Sequence, residues 1–452
     1  MLGRAAFGRR GFSLGAPLRQ TAVTSEEFSG RRERLMESLL REKARNPANQ
    51  AASMTAVLKG RNKTFYAPDV PHPFRQCSNF RYLTGVTLPN SRLVLTETES
   101  VLFVEPRSKH EQLWDGDIPS FGELAHLSGA DRVLPLKEFE NFLACRTAQK
   151  NSIFAFDVKQ FEGDNSVGPI LASSSAMVPI ADHIDKLRCV KSPFEQDMMR
   201  RTCKIGAAAM NDTIRASKGV KLENEIVGRL EYEARRRGAA GLAYPPVVAA
   251  GNRANTIHYI DANLTVKDTD CVLIDAGCDL DNYVSDITRC FPVSGQFTPA
   301  QKTLYEGLDF VHQELLNYAQ EIRPLKLNDL YFHMLSLLGV AFQEIGIFKK
   351  PLSESELITQ CDRLCPHHVS HYLGMDVHDV ATVPRNIDLQ PGVCFTIEPG
   401  VYVRADNQDV REEFRGIGFR IEDDILVTET GIEILTSDAV RSASGIEELM
   451  RL

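Results

Sequence analysis

Four carboxylates stand inside otherwise apolar, strand-like runs. Asp275 closes Val272-Leu273-Ile274-Asp275, Asp286 lies within Tyr283–Arg289, Glu398 within Phe395–Gly400, and Glu422 within Gly418–Val427. An ionised carboxylate costs several kcal/mol to bury unless it is paired or bound to metal. Taken singly, each acid is explained by a solvated strand end or a salt bridge. Taken together, four acids drawn into one sheet repel one another, and divalent cations are the natural remedy.

A second cluster lies at Pro366–Asp379, which holds four of the chain's eleven histidines. Neutral imidazole is a common metal ligand and the usual proton carrier near pH 7. His367 and His371 have the i, i+4 spacing of two zinc ligands on a helix, but the Glu of an H-E-x-x-H motif is absent. Pro366 and Gly374 disfavour a helix here. The alternation of Val369, His371 and Leu373 predicts a strand.

The remaining composition excludes more than it selects. A formal net charge of −8 over 452 residues gives no reason to expect nucleic acid or an anionic membrane as partner. No run of eighteen apolar residues is present to span a bilayer. The ten cysteines form no C-x-x-C pair, as in a reduced compartment. Cys361 and Cys365 suggest a zinc knuckle but have no second pair at suitable spacing. Residues 1–25 carry Arg4, Arg9, Arg10 and Arg19 with no acid before Glu26, the pattern of a mitochondrial transit peptide, with a cut expected after Phe12.

In chain order, an amphipathic helix is predicted over Ser25–Arg45, with Leu35, Leu39 and Leu40 on one side. Strands are predicted at Thr64–Tyr66, Arg92–Thr96, Val101–Glu105 and Ile153–Asp157, making an α/β domain over 26–188. Trp114, the single tryptophan, is expected exposed in a turn or packed on its own domain. Ser192-Pro193-Phe194-Glu195 is a capping box that opens a second domain, 189–452, and a helix to Ile214. A helix at Glu223–Arg237 and extended chain at Leu242–Ile260 follow. A hairpin is then expected, Cys271–Ala276 with Tyr283–Val293 and a turn at Cys278–Asn282. Thr298 caps a helix ending before Pro324, and Asn328 is expected to cap the next. Strands are predicted at Val393–Glu398, Gly418–Val427 and Ile432–Leu435.

A dinuclear centre is the economical arrangement for these acids. Two cations ~3.5–4 Å apart share bridging carboxylates and clamp a water and a carbonyl, and coordination lowers a water's pKa from about 15.7 to about 7. Oxygen ligands with one imidazole favour Mn²⁺ over a thiolate-type zinc site. The chemistry suggested is amide hydrolysis.

The order Asp275, Asp286, His371, Glu398, Glu422 resembles the pita-bread metallopeptidases, within them the aminopeptidase P and prolidase branch. The motifs are Ile257-His258-Tyr259, Val284–Arg289, His371–Asp379, Thr396–Gly400 and Arg420–Asp424. Arg75-Gln76, Asn79-Phe80 and Tyr82–Gly85 are similar to the family's amino-terminal signature, from which Cys77 and Arg81 depart. Tyr244–Pro246, Leu113–Gly116 and Cys365–His368 resemble its mitochondrial members. The fold implied is α+β: a creatinase-like α/β domain followed by a pita-bread domain, a curved antiparallel sheet flanked by helices.

The resemblance implies that Asp275 binds one metal, Asp286 and Glu422 bridge both, and His371 with Glu398 completes the second. Glu398 would also move a proton from water towards the leaving nitrogen. His258 and His378 match histidines that hold substrate and stabilise the tetrahedral intermediate. His367 matches the lining of the pocket for the residue after the cleaved bond. Tyr402 and Arg420 match polar partners that orient the carboxylates, and with Tyr244 they are counted on the substrate side. His368 matches no family role and is left to the scaffold. Trp114 matches a residue that reaches a neighbouring subunit's site, which implies a homodimer at least. The substrate implied is a peptide or protein amino terminus, either Xaa-Pro or the bulky residue left after presequence cleavage. A prolidase, restricted to dipeptides, is the enzymatic rival, and a metal-free pita-bread binding module is the non-enzymatic one. The large amino-terminal domain disfavours a methionine aminopeptidase, and the complete ligand set disfavours creatinase.

Overall fold

Short apolar runs separated by turn residues build the amino-terminal portion, seen here in a computed structural model that describes residues 24–148, 151–164, 167–168 and 176–451. The expected transit segment, apart from Thr24 and Ser25, lies outside the described residues, as does the expected cut after Phe12. A six-stranded sheet runs in the order Arg132–Pro135, Ser100–Val104, Arg92–Thr96, Ser53–Lys59, Ser152–Phe156, Ala176–Pro179. Its centre is antiparallel and its flanks are parallel. The helix predicted at the start is observed at Ser25–Ala44 and buries Leu35 and Leu39 completely. The strands expected at Thr64–Tyr66 and Val101–Glu105 are observed at Phe65–Ala67 and Ser100–Val104. Trp114 lies on a helix, Lys109–Asp115, not in a turn, because Ser108 and Glu111 form a capping box that starts a helix there.

The helix Ala181–Cys189 ends this portion, and Val190–Ser192 lead into the helix Pro193–Ala216, whose Ser192–Glu195 capping box is observed. Every strand pairing beyond this point is antiparallel. Val247–Ala250, Cys271–Ala276 and Ile287–Pro292 form one ladder, and Cys394–Ile397, Asp423–Val427 and Ile432–Ile434 another. A single bridge, Thr288 to Glu422, joins the two. Helices Pro193–Ala216, Glu223–Arg235, Pro299–Glu321 and Leu327–Glu344 pack apolar stripes on this sheet in one core. A second core, under the amino-terminal sheet, also takes in Met199, Tyr283, Leu373 and Met375, so the two portions share buried surface.

Four local expectations differ from the structure. The His371 segment is extended but not a regular strand: it runs beside Cys394–Ile397 through Leu373 N–H to Cys394 O, Thr396 N–H to His371 O and Glu398 N–H to Val369 O, with one bridge pair at Tyr372. The helix expected from an Asn328 cap begins at Leu327, and the Asn328 N–H is taken by Arg385 O. The hairpin turn is tighter than Cys278–Asn282: Cys278–Leu280 is itself a strand, and Asp281 and Asn282 turn at φ 55° and 67°. In the Leu242–Ile260 stretch, Gly251–Asn255 is a 3₁₀ turn.

The hairpin's geometry rests on Gly277. A Cβ there would meet the Ser285 carbonyl oxygen at 1.5 Å, so only glycine lets Asp275 and Asp286 approach from their two arms. Gly228, exposed on the helix Glu223–Arg235, meets nothing within 4 Å. Thermal unfolding of Gly277→Ala should show at least the 1–3 kcal/mol destabilisation typical of overpacking, roughly speaking. Gly228→Ala should stabilise by about 0.5–1 kcal/mol, the usual gain for Ala in a helix interior.

Candidate active site

The five candidate ligands come from four stretches of backbone, of which only one residue lies inside a regular strand. Asp275 is in Cys271–Ala276, opposite Thr288. Asp286 falls in the break between Tyr283–Val284 and Ile287–Pro292, its N–H held by Asp424 Oδ2 at 3.0 Å. Glu398 follows Cys394–Ile397, and Glu422 sits between Ile417–Arg420 and Asp423–Val427. The Glu422 N–H donates to Thr288 O at 3.1 Å, which brings it across to the Asp286 hairpin.

Asp286, His371 and Glu422 are buried, and each offers one ligand atom within 4.8 Å of the others. His371 Nδ1 lies 3.1 Å from Tyr372 O, leaving Nε2 facing the carboxylates: 3.4 Å from Asp286 Oδ2, 3.4 Å from Glu398 Oε1 and 3.9 Å from Glu422 Oε1. Orienting the second ring nitrogen through the first is the usual arrangement of a metal-binding histidine. The electrostatic load is visible in the pKa values. Burial, then the charge of Asp275, pushes Asp286 up to about 7, and burial with the charges of Asp286, Glu398 and Asp275 raises Glu422 well above the carboxylate range. Burial opposes a charged His371, but the Asp286 hydrogen bond and the charges of Glu398 and Asp286 outweigh it and push the ring up to about 9.

Neighbouring side chains hold this set in place. Tyr244 OH donates to Asp275 Oδ1 at 2.6 Å and to Asp286 Oδ1. Arg420 pairs with Asp275 Oδ2 and donates to Tyr402 OH at 2.7 Å; Tyr402 OH is 2.9 Å from His367 Nε2. Two partners escaped the sequence reading. Thr288 Oγ1 donates to Glu422 Oε2 at 2.6 Å, and Thr396 Oγ1 receives the His371 N–H and lies 3.3 Å from Glu398 Oε1. A signal for both was present, since each threonine stands two residues from a candidate acid, in Asp286-Ile287-Thr288 and Thr396-Ile397-Glu398.

His371 and Glu398 form one wall of a cavity of about 560 Å³, which His258, His367 and His378 also line. That volume suits a small ligand or a peptide end. Tyr244, Tyr402 and Arg420, counted on the substrate side from sequence, face the site's own side chains and do not line this cavity. His368 and Arg385, unassigned from sequence, do line it, and the His368 ring stacks on Tyr331 with centroids 5.1 Å apart. Trp114 is 75% exposed and donates its indole N–H to His110 Nε2.

Comparison with known proteins decides the family. Residues 197–429 match metallopeptidase family M24, and residues 28–154 match the aminopeptidase P N-terminal domain. Human Xaa-Pro aminopeptidase 3 is 37% identical over 94% of this chain and 86% of its own length. The chain belongs to metallopeptidase family M24. It is also 33% identical to the mitochondrial intermediate cleaving peptidase 55 of Arabidopsis thaliana, over 95% of this chain and 83% of that one. The solved structure of aminopeptidase PepP from Pseudomonas aeruginosa superposes with a TM-score of 0.85 at 30% identity, covering 95% of this chain and 98% of that chain. The fold is the pita-bread fold of aminopeptidase P.

The donor set fits the divalent metal that an M24 metallopeptidase uses. Glu422 Oε1 is buried with no hydrogen-bond partner among the described residues, an acceptor left over for a cation. The crowded, mutually raised carboxyl groups are relieved by positive charge, and an O-rich set with one imidazole suits hard divalent ions. Removing a partner that orients a metal ligand typically weakens metal binding about 10–100-fold. Thr288→Val should therefore fold normally by circular dichroism and lose metal affinity on that order by titration calorimetry.

Proposed function

We propose that this M24 metallopeptidase removes one residue from the amino terminus of peptides or proteins, using Asp275, Asp286, His371, Glu398 and Glu422 to hold two divalent cations, Mn²⁺ in preference to a thiolate-type zinc. The observation that carries this reading is the shared wall: His371 and Glu398, at the edge of the crowded carboxylates, line one peptide-sized cavity together with His258, His367 and His378. Bound cations would polarise the scissile carbonyl and supply a strong nucleophile near neutral pH.

The chain's own residues do the rest. Glu398 lines the cavity beside His371 and carries the proton from the attacking water to the leaving nitrogen. His258 and His378 face the same space and hold the carbonyl oxygen as charge develops on it; loss of such a donor commonly costs about 10²–10³ in rate. The substrate's free amine would bind near the cation that Asp275 would hold, and Arg420 and Tyr244 keep the Asp275 carboxylate aimed. His367 reads the residue after the cleaved bond, its ring held by Tyr402. The adjoining apolar lining, Ile257, Val380 and Val383, suits a proline ring or a small apolar side chain.

Two preferences follow: Xaa-Pro peptides, as the name Xaa-Pro aminopeptidase 3 indicates for that relative, or the bulky residue left after presequence cleavage, which the family resemblance implies. A mitochondrial location is supported by the acid-free, Arg-containing start and by the mitochondrial relative. A homodimer in which Trp114 reaches the partner's site is supported by that residue's exposure.

Turnover with Mn²⁺ on two peptides tests the reading, one beginning Xaa-Pro-Xaa and one beginning with Tyr, Phe or Leu before a small residue. Release of a single amino-terminal residue from at least one is expected, and cleavage of a tripeptide separates this enzyme from a dipeptidase. Elemental analysis of active protein should give about two divalent ions per chain. Glu398→Ala should keep its fold and metal while losing turnover; wild-type turnover in the metal-loaded variant rules out the proton-carrier role.

A further inference from the structure

His378 has no hydrogen bond to its ring among the described residues; the ring packs T-shaped with that of His371, centroids 4.6 Å apart. Its aim is therefore set by the backbone beneath it. That backbone is unusual two residues later. Val380, 97% buried and lining the cavity, has φ 44°, a left-handed conformation that β-branched residues avoid. Such a conformation persists only where its surroundings over-determine it.

The surroundings come from outside the sheet. Asp379, with its side chain 1% exposed, is gripped by Arg188 through Oδ1 and by Lys191 Nζ at 3.3 Å through Oδ2. Arg188 also reaches Asp376 Oδ2 at 2.8 Å and Asn79 Oδ1. One turn earlier on the same helix, Asp185 accepts the Thr382 N–H at 3.1 Å. The helix Ala181–Cys189 thus clasps the loop on both sides of Val380. The amino-terminal portion adds more: Ser78 Oγ donates to Asp376 Oδ1 at 2.6 Å and Arg75 Nη2 to Met375 O at 2.5 Å. Packing leaves no slack, since a Cβ on Gly374 would meet Asp379 Oδ2 at 2.4 Å. Burying an Arg and a Lys against one Asp is costly unless the geometry is fixed, and here the fixed geometry is that of the His378 loop.

We propose that Arg188, with Asp185 beside it, is a positioning residue for peptide hydrolysis: it clamps Asp379 and so holds the strained turn at Val380 that aims His378 into the site. The amino-terminal portion is then a working part of catalysis, and the Arg75 and Asn79 of its signature, with Ser78 between them, are explained as the outer grip of the same clamp. This rests on the peptidase reading for its kinetic test alone.

The test is a double-mutant cycle on the full chain with Arg188→Met, His378→Ala and the pair, read beside hydrogen–deuterium exchange of residues 376–383 in metal-free protein. Arg188→Met should retain wild-type metal content and lower kcat/KM at least 10-fold. The pair should be within twofold of His378→Ala, because both changes remove one function. Amides of 380–383 should exchange faster in Arg188→Met than in wild type. Should Arg188→Met fail to fold, Asp185→Ala, which removes the Thr382 contact and strands no buried cation, carries the same cycle with the same expectations. Unchanged kcat/KM, losses that simply multiply, or unchanged exchange overturn the proposal. A wild-type chain that cleaves no peptide overturns the peptidase reading, and the exchange comparison still decides whether the clamp holds the loop.

Discussion

Like charges held in one buried space are the constraint on which the rest of this structure depends. Asp286, Glu422 and His371 bring ligand atoms within 4.8 Å of one another, and Asp275 and Glu398 press in from the edges. Left to themselves these groups would spread apart or take up protons, as the raised pKa values of Asp286 and Glu422 show. Three features keep them together. The Gly277 contact fixes the hairpin, the Thr288–Glu422 bridge ties it to the next ladder, and Arg420 places one guanidinium against Asp275. Divalent cations complete the balance in an M24 metallopeptidase.

The scaffold around the site is charged in its turn, and its charges are ordered. Arg289, 1% exposed, donates to Asp423 Oδ1 at 2.7 Å and to the carbonyls of Glu422, Val440 and Ala439, so the residue after Glu422 is anchored from behind. His312 is wholly buried between Asp423 and Ile397 O; burial, only partly offset by the Asp423 charge, pushes it down to about 3, which keeps it neutral. A neutral ring there braces the strand end before Glu398 without adding another charge near the crowded carboxylates. Opposite, the Arg188 clamp performs a similar task with full charges, and it draws them from the amino-terminal portion.

Much of this was legible in advance because the chemistry repeats in local motifs. The two capping boxes at Ser192 and Thr298 stand where short-range residue patterns placed them, and Asp286, His371 and Glu422, singled out in the sequence, come together in space. The misreadings have a common cause. The His371 segment and the Leu242–Ile260 stretch have strand-like composition, yet their hydrogen bonds go singly to other segments or into a 3₁₀ turn. Trp114 looked like a turn residue among polar neighbours until the Ser108–Glu111 box made a helix of it. Arg420 and Tyr402, expected as partners that orient the carboxylates, stand in one chain from Asp275 through Arg420 to Tyr402, and Tyr244 reaches Asp275 and Asp286.

By itself the sequence determined which acids cannot be ordinary core residues, which family motif they compose, and that a metal-dependent hydrolysis is the chemistry they suit. It did so because burial cost and ligand preference belong to residue types. Which groups touch was decided only in three dimensions. Gly277 reads as one glycine among thirty until its Cβ position is seen to coincide with the Ser285 carbonyl. Arg188 and Asp379 are 191 positions apart, and nothing local to either announces the other. The left-handed turn at Val380 is disfavoured by local preference and is held by buried ion pairs from the distant Arg188 and Lys191. Contacts of that kind arise from tertiary packing, and it is tertiary packing that turns a set of suitable residues into a site.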